Sequence, residues 1–146
     1  MSFTAKAHIR VGKPVEEVFD AVVNPEKMCK YFTTTASAPM TAGAVVIWSW
    51  ADAGAEGTVK VCEVELNSRV VFQWPATGPN RTVEITFQSL PDGGTRIAAV
   101  ESGDWSFDSK SVEEACGQTG GWMHMFLCLK AYLEYGINLR EGAVCK

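Results

Sequence analysis

Glu101 is the residue whose type and placement best suit chemistry. It lies in the stretch Thr95–Gly103, where Ile97, Ala99 and Glu101 share one face of an alternating strand. An inward carboxyl in an apolar enclosure suits a polar anchor for a ligand, or a general acid or base, because desolvation disfavours its charged form. A carboxylate at the open edge of a sheet is the plainer alternative. Glu63 and Arg81 are weaker candidates, since a bulge would reverse the face on which either falls. The two histidines, His8 and His124, are too few to assemble a metal site. His8 falls on the outer face of the first strand, and His124 lies opposite Trp122 on a helical wheel. Cys29, Cys62, Cys116, Cys128 and Cys145 are odd in number and show no CxxC pair, which fits free thiols in a reduced, cytoplasmic protein. No phosphate loop, dinucleotide glycine pattern or nucleophile elbow occurs. The residues therefore assign no cofactor, no metal and no catalytic group beyond the weak candidate Glu101.

The aromatic residues carry more information. Trp48, Trp50, Trp74 and Trp122 all fall on faces that point inward, together with Met125, Phe126 and Leu129. Packing alone would account for them, since aromatics dominate cores. A cavity lined by rings, with Glu101 as its polar group, is the sharper expectation, because a sheet and a helix of this size rarely close on each other completely.

The elements that must hold these residues follow from the pattern. The alternation of Phe3, Ala5, Ala7, Ile9 and Val11 with polar residues predicts a half-buried strand. Pro14 suits the first position of a short helix bearing Val15, Val18, Phe19 and Val22. Asn24-Pro25 caps a second helix, about Glu26–Lys30, that runs into Tyr31-Phe32. Thr33–Gly43 reads as loop. Strands are expected over Ala44–Trp50, Thr58–Leu66, Arg69–Trp74, Arg81–Leu90 and Thr95–Gly103, with turns at Ala51–Gly57 and Asn67-Ser68, a loop at Pro75–Asn80 and a hairpin at Pro91–Gly94. A long helix over Val112–Gly136 comes last. Ser111 and Glu114 have capping-box spacing, and Gly136 ends the helix. Its stripe is Ala115, Trp122, Met125, Phe126, Leu129, Tyr132 and Leu133. Gly117, Gly120 and Gly121 within it predict a kink or a close approach of backbone to sheet.

The fold class expected is α+β: a curved antiparallel sheet of about six strands wrapped around a long C-terminal helix, with two short helices after the first strand. Residues 1–146 make one domain. The net charge of -4, without a basic run, argues against nucleic acid and anionic membrane surfaces as partners. No apolar run is long enough to insert in a bilayer. Met123, Leu127, Cys128 and Ala131 leave the far side of the helix less polar than usual, which suits packing under the short helices or a homodimer contact.

Several local motifs, in order, resemble one family. They are Pro14-Val15-Glu16-Glu17-Val18-Phe19, Asn24-Pro25-Glu26-Lys27 with Tyr31-Phe32, Gly57-Thr58-Val59, Arg69-Val70-Val71-Phe72-Gln73-Trp74, Gly94-Thr95-Arg96-Ile97, Glu101-Ser102-Gly103, Gly120-Gly121-Trp122 and Leu129-Lys130-Ala131-Tyr132-Leu133-Glu134. Together they resemble the START-like (birch-pollen-allergen-like, SRPBCC) superfamily, with its helix-grip fold, and within it the Aha-type homologues of heat-shock chaperone ATPase activators. The family commonly has Trp-Phe where this chain has Tyr31-Phe32, and often His where it has Glu101. With the fold that the resemblance implies, the inward faces lead to the expectation that a hydrophobic small molecule binds between the sheet and the C-terminal helix, at Trp48, Trp50, Trp74, Glu101, Trp122, Met125, Phe126 and Leu129. Two alternatives stay open: a chaperone-ATPase regulator with a chaperone partner, and a cyclase- or aromatase-type enzyme using the same cavity.

Overall fold

The computed structural model describes residues 3–74 and 81–145. The elements run β1 (Ala5–Val11), α1 (Val15–Val23), α2 (Pro25–Met28), β2 (Thr35–Ala36), β3 (Val45–Trp50), β4 (Ala55–Glu65), β5 (Arg69–Trp74), β6 (Arg81–Ser89), β7 (Thr95–Ser102) and α3 (Ser109–Tyr135). All strands pair antiparallel in one sheet, ordered β1-β7-β6-β5-β4-β3-β2. The chain is the helix-grip architecture: the curved sheet holds α3, and α1 and α2 follow β1. The expected loop Pro75–Asn80 lies outside the described residues. No described helix is long and apolar enough to cross a membrane.

The alternation built the inner face as read. Val46, Trp48 and Trp50 of β3, Val70 and Phe72 of β5, Val83, Ile85 and Phe87 of β6, and Ile97, Ala99 and Glu101 of β7 are all buried. Against them α3 buries Trp122, Met125, Phe126, Cys128 and Leu129, and α1 buries Val18, Phe19 and Val22. Phe19 meets Phe87 edge-on, with ring centroids 5.2 Å apart. Tyr31 stacks on Tyr132 and donates its hydroxyl to Ala21 O at 2.9 Å. Burial pushes that phenol well above its ordinary range, so it stays a donor at every practical pH.

Four local readings differ from the structure. The sheet has seven strands, because β2 forms inside the stretch read as loop. It is two residues long, so no period of two can show; the backbone bond Thr34 N–Ser49 O (2.7 Å) and Ser37 Oγ accepting from Ile47 N (2.8 Å) hold it to β3. The turn after β3 is shorter than expected, since Ala55 already pairs with Trp50 and Gly54 takes the left-handed conformation the tight turn needs. The helix α3 starts at Ser109, and its cap is Asp108, whose carboxylate accepts from Ser111 N at 2.8 Å. Asp caps as well as Ser and lies upstream, so the Ser111–Glu114 box does not form, and Glu114 is free to meet Arg81. Finally, a Cβ added at Gly117, Gly120 or Gly121 would touch nothing within 4 Å. These glycines do not mark a close approach to the sheet; they thin the exposed flank of α3.

A bulge at Cys62 resolves the position of Glu63. The register steps from Val61↔Phe72 to Glu63↔Val71, which turns Val64 inward and leaves Glu63 outside, paired with Arg69.

Phe126 has no exposed surface, whereas Leu127 is 44% exposed. Phe126→Ala should lower the unfolding free energy by about 3–5 kcal/mol. Leu127→Ala should change it by no more than about 0.5 kcal/mol. Denaturant titrations of both variants measure the difference, and equal losses would mean that α3 docks on another face.

Candidate functional site: an aromatic cleft beside the long helix

The inward alternation of β3 and β5 places Trp48 and Trp50 beside Phe72 and Trp74, and α3 lays Trp122 across them. Phe32, carried by the turns that follow α2, joins the group against Trp48 and Trp50. The rings meet mostly edge to face: Trp48–Phe72 at 5.5 Å, Phe32–Trp50 at 5.3 Å, Trp48–Trp74 at 6.0 Å and Phe72–Trp122 at 6.1 Å between centroids. These are the geometries that ring quadrupoles favour. The indole N–H groups of Trp48, Trp50 and Trp74 are buried and have no hydrogen-bond partner among the described residues. Each orphan donor costs about 1–3 kcal/mol, offset only in part by contact with neighbouring ring faces.

Beside this cluster opens a cleft of about 490 Å³, lined by Phe32, Trp50, Ala53, Ala55, Trp74, Gln118, Gly121, Trp122, His124 and Arg140. Rings and methyl groups form its body. Gln118, His124 and Arg140 are its polar lining groups. Its size falls in the range of small-molecule sites.

Behind the cleft wall lies Glu101, fully buried on β7. Its carboxylate accepts from Trp122 Nε1 at 2.7 Å and from Gln118 Nε2 at 2.9 and 3.1 Å. The enclosure is therefore not purely apolar, as the strand face alone suggested: α3 brings the donors. Arg81, also buried, turns toward the start of α3, where Nη2 lies 3.0 Å from Glu114 and the guanidinium sits 4.3 Å from the Trp105 ring centre. No cluster of three or more metal-ligating side chains occurs among the described residues.

The mouth of the cleft has a clasp. Arg140, beyond the end of α3, reaches Asp52 in the β3–β4 turn at 2.6 Å. The hydrogen bond from Arg140 holds the Asp52 carboxyl below its ordinary value.

A family model for Activator of Hsp90 ATPase homolog 1-like proteins matches residues 13–134. The chain belongs to this family. Among solved structures, it is similar to SSP2350 from Staphylococcus saprophyticus, at 30% identity and a TM-score of 0.82, over 94% of this chain and 96% of that one. It is similar also to DynU16, described as a putative protein in the dynemicin biosynthetic locus, at 28% identity and a TM-score of 0.81; the match covers 92% of this chain and 48% of that one. The Aha1 dimer from Colwellia psychrerythraea shares the fold at 17% identity and a TM-score of 0.78, covering 92% of this chain and 98% of that one. No curated protein matches the chain.

Of the residues proposed from sequence, the structure brings Trp50, Trp74 and Trp122 onto the cleft. Trp48 lies directly behind them, and Met125, Phe126 and Leu129 sit deeper, fully buried in the core. Glu101 does not line the cleft; it supports two residues that do. His124, expected on the outer face, is half-buried on the cleft wall, because Gly121 has no side chain and the cleft reaches around the flank of α3. Sequence reasoning missed Phe32, Gln118 and Arg140. Gln118 had a signal, lying one helical turn before Trp122 on the same face. Arg140 had none, since only the tertiary fold carries the segment after α3 back to the β3–β4 turn.

Two predictions follow from the polar contacts. Glu101→Leu leaves the buried Trp122 indole without an acceptor and should destabilise by about 1–3 kcal/mol. Adding Trp122→Phe removes that orphan, so in denaturant titrations the double variant should lose less than the two single losses combined. The clasp, in turn, should be sensitive to acid. Because the folded value of Asp52 is lowered, the clasp contributes fully above the ordinary value of 3.8, weakens as pH falls below it and is gone below the folded value. Amide exchange over residues 137–145, corrected for intrinsic rates, should quicken below that pH in the wild type. In Asp52→Asn it should be quick at every pH.

Proposed function

We propose that the protein binds a flat, largely apolar small molecule in the cleft between α3 and the β3–β5 side of the sheet. The observation that carries this reading is the wall itself: Phe32, Trp50, Trp74 and Trp122 face one cleft of small-molecule size. Its neighbour cluster contains three indole N–H groups that lack acceptors among the described residues.

Binding is favoured over catalysis. Glu101, the carboxylate behind the cleft wall, is engaged by Gln118 and Trp122 and does not line the space a substrate would occupy. A chaperone-regulator role is the second reading, and the family's own description supports it. That role would use an outer surface and not the cleft, so the two readings are separable.

A chemically varied panel of flat apolar compounds should quench tryptophan emission and raise the melting temperature in proportion to ligand concentration. Trp74→Ala should abolish both effects. A panel that gives neither effect in the wild type would overturn the binding reading.

A further inference from the structure

We infer that Gln118 selects ligands carrying a hydrogen-bond donor, such as a phenolic hydroxyl or ring N–H on an aromatic body, and that Glu101 is the positioning residue that makes it do so. This inference rests on the cleft being a binding site.

The argument is one of orientation. An amide side chain can present either its oxygen or its nitrogen to a ligand, and left alone it turns to suit either. Gln118 is not left alone. Its Nε2 lies 2.9 and 3.1 Å from the two oxygens of the Glu101 carboxylate. A carboxylate offers acceptors only, so the amide must keep its nitrogen toward the sheet. The carboxylate is itself held, because Trp122 Nε1 donates to the same oxygen at 2.7 Å. Turning the amide over would set its oxygen against carboxylate oxygens, with repulsion in place of two hydrogen bonds.

The consequence falls on Oε1. Both hydrogen bonds of the Gln118 amide among the described residues run through Nε2, and Oε1 is neither bonded to another described residue nor sealed from solvent. Gln118 forms part of the cleft wall together with Gly121 and Trp122. The cleft thus contains a fixed acceptor set among rings and methyl groups. The Arg140 guanidinium, which can only donate, is already bonded to Asp52. A ligand with a donor opposite Oε1 satisfies it; an isostere with a methyl group there buries it unpaired.

The test compares 2-naphthol with 2-methoxynaphthalene by isothermal titration calorimetry on the intact chain. The wild type should bind the naphthol about tenfold more tightly. Gln118→Leu, a change at a half-buried helix position, should remove that preference while both compounds still bind. Glu101→Gln should also weaken the preference, because its amide accepts either orientation of Gln118, and should bind the methoxy compound no worse than wild type. Equal affinities in the wild type, or a preference that survives Gln118→Leu, would overturn the inference and leave the binding site standing. Failure of both compounds to bind the wild type would remove both. Should Glu101→Gln not fold, the Gln118→Leu comparison decides alone.

Discussion

A carboxylate buried with no exposed surface at the end of β7, on an otherwise apolar sheet face, is the constraint on which the arrangement turns. Removing such a group from water is tolerable only if hydrogen bonds replace its hydration. Among the described residues, every side-chain donor that meets Glu101 comes from α3, from Gln118 and Trp122. Hydrophobic burial alone would hold the helix over the sheet with some freedom to roll, since apolar contact has no direction. Three directional bonds at one point remove that freedom. They fix which edge of α3 faces β7, and so which side of Trp122 the cleft sees.

The far end of α3 is fastened by similar means. Glu134 accepts from Gly12 N at 3.0 Å, and Lys130 donates to Arg10 O at 3.0 Å, tying the last turns to the end of β1. Gly136 then takes a left-handed conformation, and its N–H closes on Tyr132 O at 2.9 Å. That sharp stop turns the following segment back across the cleft mouth to Asp52. Between the two fastened ends, the aromatic cluster is the loosely satisfied part of the molecule. Its rings are well placed against each other, yet three of its donors have no acceptor among the described residues.

Much of this was legible residue by residue. The inward faces of β3, β5, β6 and β7 follow from a period of two, and the stripe from Ala115 to Leu129 follows from a period of 3.6. The placement of Glu101 with Ile97 and Ala99 came from the same rule. The failures were of a different kind. β2 was too short to carry a period. Asp108 displaced Ser111 as the cap because both are good caps and the chain used the earlier one. The glycines of α3 suggested contact and instead mark its absence, since a residue without a side chain reads the same in either case.

By itself, then, the sequence determined which residues are inside, because burial depends on apolar type and on periods that strands and helices impose locally. It also determined the order of elements and hence the helix-grip architecture. Which buried residues reach the cleft was decided only in three dimensions. Trp48 and Trp50 lie on the same strand face, two residues apart, yet Trp50 lines the cleft and Trp48 does not. Gln118 becomes a fixed acceptor only because α3 sets it against a carboxylate on a strand 17 positions earlier in the chain. Arg140 reaches the cleft only because the chain turns back after Gly136. Periodicity reports the side of an element on which a residue falls; which neighbour waits there depends on how distant elements meet, and that information exists only in the folded chain.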